Sequence, residues 1–271
     1  MTAHVTDRRR SASLLILFWV CVAGCCVFEF RLMECLSVLR AEEAKSEPPR
    51  ITATEPVAVI CGNTTTLRVR GFQLKDATEL RFPQFPGIRA RITEKKEAGA
   101  PKGLENKTVG DSQLTSEFVL PAEHPPGMLE FIIATPSGDA AFKLLVMMAD
   151  AVIDETEPND GFREAQKLQP GQSARGRIQA DKDVDVYEFP AKAGQRLKVS
   201  VISGGPLLMD AALHCYDSHG QFLAAADDGE TRDPVMMLRS STDDTVFLCV
   251  SSAHDVGGEW NSYLLTVEEV K

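Results

Sequence analysis

Residues 155–189 read ETEPNDGFREAQKLQPGQSARGRIQADKDVDVYEF. The stretch places two oxygen-rich clusters, Glu155/Glu157/Asn159/Asp160 and Asp181/Asp183/Asp185, on either side of a spacer, and the second runs straight into an alternating segment. From Asp181 to Asp185 the acids recur at every second position. A strand period of two therefore predicts all three on one side, with Val184 and Val186 on the other. Carboxylates crowded in this way repel unless a cation neutralises them or water separates them. A hard cation such as calcium takes roughly 6 to 8 oxygen ligands and tolerates irregular geometry. Two readings follow: a calcium-stapled β-domain, or a polar turn followed by a solvated acidic edge.

Several segments together resemble the bacterial pre-peptidase C-terminal domain family. They are Glu157-Pro-Asn-Asp160, Gly176 to Phe189, Ala193-Gly-Gln-Arg-Leu197, Met209 to Gly220, Asp227-Asp228 and Tyr263-Leu-Leu-Thr-Val267. The resemblance runs from about Asp154 to the end of the sequence and extends to the related collagen-binding modules of secreted bacterial collagenases. It implies a small jelly-roll-type β-sandwich, with calcium between an acidic linker and the loop before the Asp-x-Tyr strand. Carried onto this chain, the implied ligands are Glu155, Glu157, Asn159, Asp160, Asp183 and Asp185. The chain departs from the family pattern at Ala211, where proline is common, and at Asp244, where glycine is common. Lys182 also sets a cation amid the acids.

The composition is that of ordinary globular material, 44% hydrophobic and 25% charged over 271 residues, long enough for two modest domains and a targeting segment. The net charge of -10 is unevenly spread. Residues 150–271 hold 11 Lys+Arg against 22 Asp+Glu, whereas residues 42–149 hold 13 against 14. The acidity belongs to the C-terminal part, which argues against nucleic acid as a partner, since phosphate binding needs a basic surface. At the N-terminus, Arg8-Arg9-Arg10 precedes the uninterrupted apolar run Leu14–Phe28, an export segment. Three fates are open to it: retention as a membrane anchor, cleavage near Ala41, or lipidation of Cys25 in Val22-Ala-Gly-Cys25. In each the arginines stay in the cytoplasm and the rest of the chain is exported.

Residues 42–50 (EEAKSEPPR) form a charged, proline-terminated linker. Short strand-like runs then follow at close spacing: Ile51–Thr54, Ala58–Cys61, Thr65–Arg70, Glu79–Phe82, Arg89–Ile92, Leu114–Leu120, Met128–Ala134 and Ala141–Met147. Thr65–Phe72 and Gly127–Gly138 alternate most clearly, the latter with a Pro136-Ser-Gly turn. This pattern resembles the immunoglobulin-like modules of the transcription-factor and plexin type over about Pro49 to Val146. Lys95–Thr108 reads as a flexible solvated loop between strands.

The predicted architecture is all-β. A signal peptide or membrane anchor (1–41) and a linker (42–50) precede two consecutive β-sandwiches, immunoglobulin-like over 51–148 and jelly-roll-like over 149–271. No H-E-x-x-H, G-x-S-x-G, P-loop or dinucleotide fingerprint occurs, so the sequence points to a non-enzyme. Cys215 and Cys249 are either disulfide-bonded or buried free thiols. Trp260 and Tyr263 are either ligand-facing aromatics or core. The functional expectation is an exported cell-envelope binding, adhesion or accessory protein, touching the membrane only through its N-terminal segment. Its partner would be an extracellular protein or polysaccharide. A calcium ion would stiffen a hinge at Thr156-Glu157-Pro158 and so set the angle between the two sandwiches. The rival readings are a targeting or secretion accessory of a secreted peptidase and a carbohydrate-binding module.

Overall fold

Alternation at Thr64–Phe72 produces a strand that buries Leu67 and Val69 and leaves Thr64 and Thr66 exposed. In the computed structural model, which describes residues 47–205 and 207–271, this strand is β3. The export segment and most of the linker lie outside the described residues. Among the described residues, no helix is long and apolar enough to cross a membrane.

Eight strands make the first sandwich: β1 (Arg50–Glu55), β2 (Ala58–Ile60), β3, β4 (Glu79–Arg81), β5 (Ala90–Glu97), β6 (Ser112–Val119), β7 (Gly127–Thr135) and β8 (Gly138–Met147). They form two sheets, ordered β1-β3-β6-β5 and β2-β8-β7-β4. Between the sheets lie Leu67, Val69, Leu114, Phe118, Leu129, Phe131 and Val146. Each alternates with outward residues at the strand period.

One expectation fails in this domain. Lys95–Thr108 is not a free loop: β5 extends to Glu97, and Asn106–Val109 forms a single helical turn. The cause is Arg70, which is 1% exposed. Its guanidinium donates to the carbonyls of Gly99 (2.7 Å), Gly110 (3.0 Å) and Val109 (3.2 Å). A buried cation must be compensated by acceptors, and here backbone carbonyls supply them, so the side chain ties the segment down.

The chain crosses to the second sandwich through a 3-10 turn at Ala149–Ala151. Ten strands follow: β9 (Val152–Asp154), β10 (Gln166–Lys167), β11 (Ser173–Arg177), β12 (Val184–Ala191), β13 (Arg196–Ser203), β14 (Ala211–Tyr216), β15 (Phe222–Ala226), β16 (Val235–Arg239), β17 (Asp244–Ser252) and β18 (Ser262–Glu269). They build two five-stranded sheets, β10-β12-β17-β14-β15 and β16-β13-β18-β11-β9. Tyr187, Phe189, Val199, Leu213, Leu248, Tyr263 and Leu265 fill the space between them.

The two sandwiches belong to one compact unit, Pro48–Lys271, and meet through two small apolar clusters. Ala53 and Val109 pack with Leu208 and Trp260 in one, and Val57 and Ala58 with Leu264 in the other. Hydrogen bonds cross as well: Thr54 N–H donates to Gly204 O (2.9 Å), and the Arg175 side chain donates through Nη1 to Ala58 O (2.8 Å). Gly205 permits the close approach, because a Cβ there would lie 2.5 Å from that of Ala53.

Candidate metal centre

Because β9 already pairs with β11 before the acidic stretch begins, that stretch lies inside the second sandwich. This corrects the hinge expectation: Thr156-Glu157-Pro158 does not join the two domains. The segment instead folds back over the start of β12, where Val186 N–H donates to Asn159 O (2.9 Å).

The fold gathers all six candidate ligands in one neighbourhood. Glu155, Glu157 and Asp185 each present an oxygen within 4.8 Å of the others, and so do Glu157, Asp160 and Asp183, with Glu157 common to both groups. Asn159 is fully buried beside them. Its amide lies against the oxygens of Glu157 and Asp185. With its nitrogen toward them, the amide donates to Glu157 Oε2 (2.8 Å) and Asp185 Oδ1 (3.3 Å). The donor set is wholly hard oxygen, the chemistry that suits calcium.

Supporting bonds fix the groups in place. Glu155 Oε2 accepts from Arg177 N–H (2.6 Å), Glu157 Oε2 from Asn159 N–H (3.1 Å), and Asp183 Oδ2 from Gln179 N–H (2.6 Å). Asp185 Oδ2 accepts from Tyr263 Oη (2.6 Å), which lies 2.8 Å from Tyr187 Oη. The other oxygen of Glu155, Oε1, is buried without a donor. Burial pushes the Asp185 carboxyl up to about 9, and the adjacent Glu155 carboxyl, placed to share its proton, adds to the rise. Burial raises Glu155 as well. Without a metal, then, the inner pair retains a proton.

The expectation of three aligned aspartates holds only for Asp183 and Asp185. Lys182 adopts a positive φ of 66°, which breaks the alternation, and Asp181 turns away to pair with Lys102 of the first sandwich. The Lys182 side chain is exposed and makes no ion pair among the described residues. Sequence reading also missed Gly176. A Cβ there would run into Tyr263 Oη and Glu155 Oε2, so only glycine lets strand β11 pass this close to the cluster.

Other candidates resolve differently. Cys215 pairs across with Leu248, while Cys249 pairs across with His214, so the two thiols lie on opposite faces of their sheet and both are free. The same geometry separates Cys215 from His214. Trp260 is 1% exposed, with the Arg68 guanidinium 4.6 Å from its ring centroid on the first-sandwich side. It is an interface residue and not a ligand-facing aromatic. Tyr263 and Tyr187 are core.

No family model matches the sequence, and no curated protein matches it. Among solved structures, the chain is similar to the pre-peptidase C-terminal domain of collagenase from Bacillus anthracis, at 14% identity and a TM-score of 0.34, covering 42% of this chain and 100% of that one. It is also similar to SGBP-B of a mixed-linkage glucan utilization locus from Bacteroides ovatus, at 10% identity and a TM-score of 0.27, covering 82% and 74%. A third likeness is to the secreted serine protease VesC from Vibrio cholerae, at 10% identity and a TM-score of 0.27; it covers 83% of this chain and about half of that one, 51%.

Proposed function

We propose that this is a non-catalytic, exported binding or accessory protein of the cell envelope, whose second sandwich is of the pre-peptidase C-terminal type and is stapled by one structural calcium ion. The observation that carries the metal reading is the convergence of Glu155, Glu157 and Asp185, and of Glu157, Asp160 and Asp183, on oxygens that lie within 4.8 Å of one another. Glu155, Glu157, Asn159, Asp160, Asp183 and Asp185 would hold the ion. Bound there, calcium ties residues 155–160 to the start of β12 and so stabilises the second sandwich by mass action. The partner outside the cell would be a protein or a polysaccharide, and the membrane would be met only through the Leu14–Phe28 run.

Calorimetry of the protein with calcium, paired with thermal melting in calcium and in chelator, tests the metal reading. Exothermic or endothermic saturable binding together with a higher melting temperature in calcium is expected. An absence of heat with an unchanged melting temperature would overturn it. The intact mass of the mature protein separates an uncleaved Met1, a cut near Ala41 and a lipidated Cys25.

A further inference from the structure

The alternation that buries Tyr187, Leu213, Cys215, Leu248 and Val250 in the second core turns their neighbours to the outer face of the same sheet. Across that face the register sets Phe247 of β17 opposite Tyr216 of β14, Cys249 opposite His214, and Ser251 opposite Val184 of β12. An outer sheet face that meets water is ordinarily polar. This one carries aromatic rings. Tyr216 meets Phe222 edge-on, with centroids 5.9 Å apart. Phe162, from the segment that follows Asp160, is stacked on Phe247 at 4.5 Å and lies 5.3 Å from Tyr216. Phe162 and Phe222 are 40% and 59% exposed, so the cluster is open to solvent.

Beside these rings lies an open cavity of about 420 Å³. Val184, Val186 and Cys249 give it apolar lining, Phe162 and Tyr216 give it rings, and His214 and Ser251 add polar groups. The side chains of His214, Tyr216 and Ser251 make no hydrogen bond among the described residues, and all three are partly exposed. Apolar and aromatic walls with a few convergent polar groups are the usual make-up of a small-ligand site. The chemistry selects among ligands. None of the nine lining residues is Lys or Arg, so a phosphate, sulfate or uronate finds no cationic partner. The one acid, Asp160, belongs to the oxygen cluster of the candidate metal centre, which leaves no carboxylate over for a cationic ligand. Strands β12, β17 and β14 are interior, each paired on both sides, so an extended peptide cannot add to their backbones.

We propose that this outer face of the second sandwich binds a neutral saccharide. A sugar ring has a face of C–H groups and a rim of hydroxyls, and no charge. Its C–H face suits the electron-rich faces of Phe162 and Tyr216. Its hydroxyls can donate to and accept from His214, Ser251 and the Tyr216 hydroxyl. The inference deepens the binding reading given above and rests on it, assigning the partner outside the cell to the polysaccharide class. It does not require the metal, because the stack on Phe247 and the bond from Val186 N–H to Asn159 O hold the Phe162 segment on the sheet.

The test applies the full chain, in a mild detergent without a sugar headgroup, to an array of neutral gluco-, manno- and galacto-oligosaccharides beside uronate-containing and sulfated ones. Retention of at least one neutral class and of no acidic class is expected. Phe162→Ala and Tyr216→Ala should each weaken that binding at least about tenfold, the scale of losing an anchoring aromatic. Phe162→Tyr should keep it, as should Met128→Ala on the first sandwich. Ser251→Trp fills the cavity without removing core packing, so it should abolish binding even if an alanine variant fails to fold. No neutral saccharide retained, retention of acidic saccharides alone, or binding that survives both Phe162→Ala and Ser251→Trp would each overturn the proposal; the last would leave the wider binding reading standing. Calcium calorimetry on the same protein separates the metal from the sugar. Calcium heat without saccharide binding overturns this proposal alone, and saccharide binding without calcium heat supports it while overturning the metal.

Discussion

Asp185 carries a carboxyl that burial and Glu155 hold far above its ordinary value of about 3.9. The metal-free folded protein therefore keeps a proton that the unfolded chain has already released. The sign follows: this contribution to stability is fully present below about pH 4 and is lost as pH rises through the folded value of about 9. In chelator, melting temperature should fall steadily from pH 5 to pH 8. In calcium the fall should flatten, because metal replaces proton and binds more tightly as pH rises. Asp185→Asn keeps an oxygen for Tyr263 yet removes the titration, so its melting temperature in chelator should vary less with pH and its response to calcium should shrink. A variant that melts with the wild-type pH profile would contradict this account. Gly176→Ala offers a second check: its methyl group collides with Tyr263 Oη and Glu155 Oε2. The expected loss, read by urea denaturation, is about 1–3 kcal/mol, the usual cost of overpacking. Asp185 was legible in the sequence because it shares β12 with Tyr187 and Phe189 at the strand period of two. Asp181 was not, because its partner Lys102 lies 79 residues away in the other sandwich.

Strands whose inward residues are all apolar were legible to within a residue or two. Strand β7 shows why: from Leu129 to Ile133 every second side chain is buried. Strand β5 lies at the other extreme, with no buried residue along its length. As an edge strand it presents charge on both sides, so its sequence carries no period, and its second half was read as loop. The turn that follows was equally hidden, since its order comes from the Arg70 guanidinium arriving from β3. Pairing between strands also decides the cysteines. With Cys215 facing the core and Cys249 the opposite face, no rotamer joins them. Reductant should leave the melting temperature unchanged, and a peptide map prepared without reduction should contain no Cys215–Cys249 linkage.

Across the whole molecule, the least legible residue was Trp260. Beside Gly257-Gly258 it has the setting of an exposed recognition aromatic, yet Ala53, Val109, Leu208 and Arg68 enclose it. Nothing local to Trp260 announces these partners, since three come from the first sandwich, more than 150 residues earlier in the chain. Trp260→Ala should cost about 3–5 kcal/mol, the range for removing a buried aromatic. Since the loss falls at the junction, scanning calorimetry should resolve one transition in the wild type into two in the variant. A single transition shifted to lower temperature would mean that the second apolar cluster, around Val57 and Leu264, couples the domains by itself.

Strand β1 has a mechanical implication. Its residues are gripped from two directions: by β3 through an antiparallel ladder, and by the second sandwich through the Thr54–Gly204 bond and the packing of Ala53 on Trp260. Tension reaching Arg50 from the preceding residues would thus be resisted by both domains at once. Peeling β1 away would have to break the ladder and the junction together, so the first event under load should be a cooperative rupture and not the unzipping of one strand.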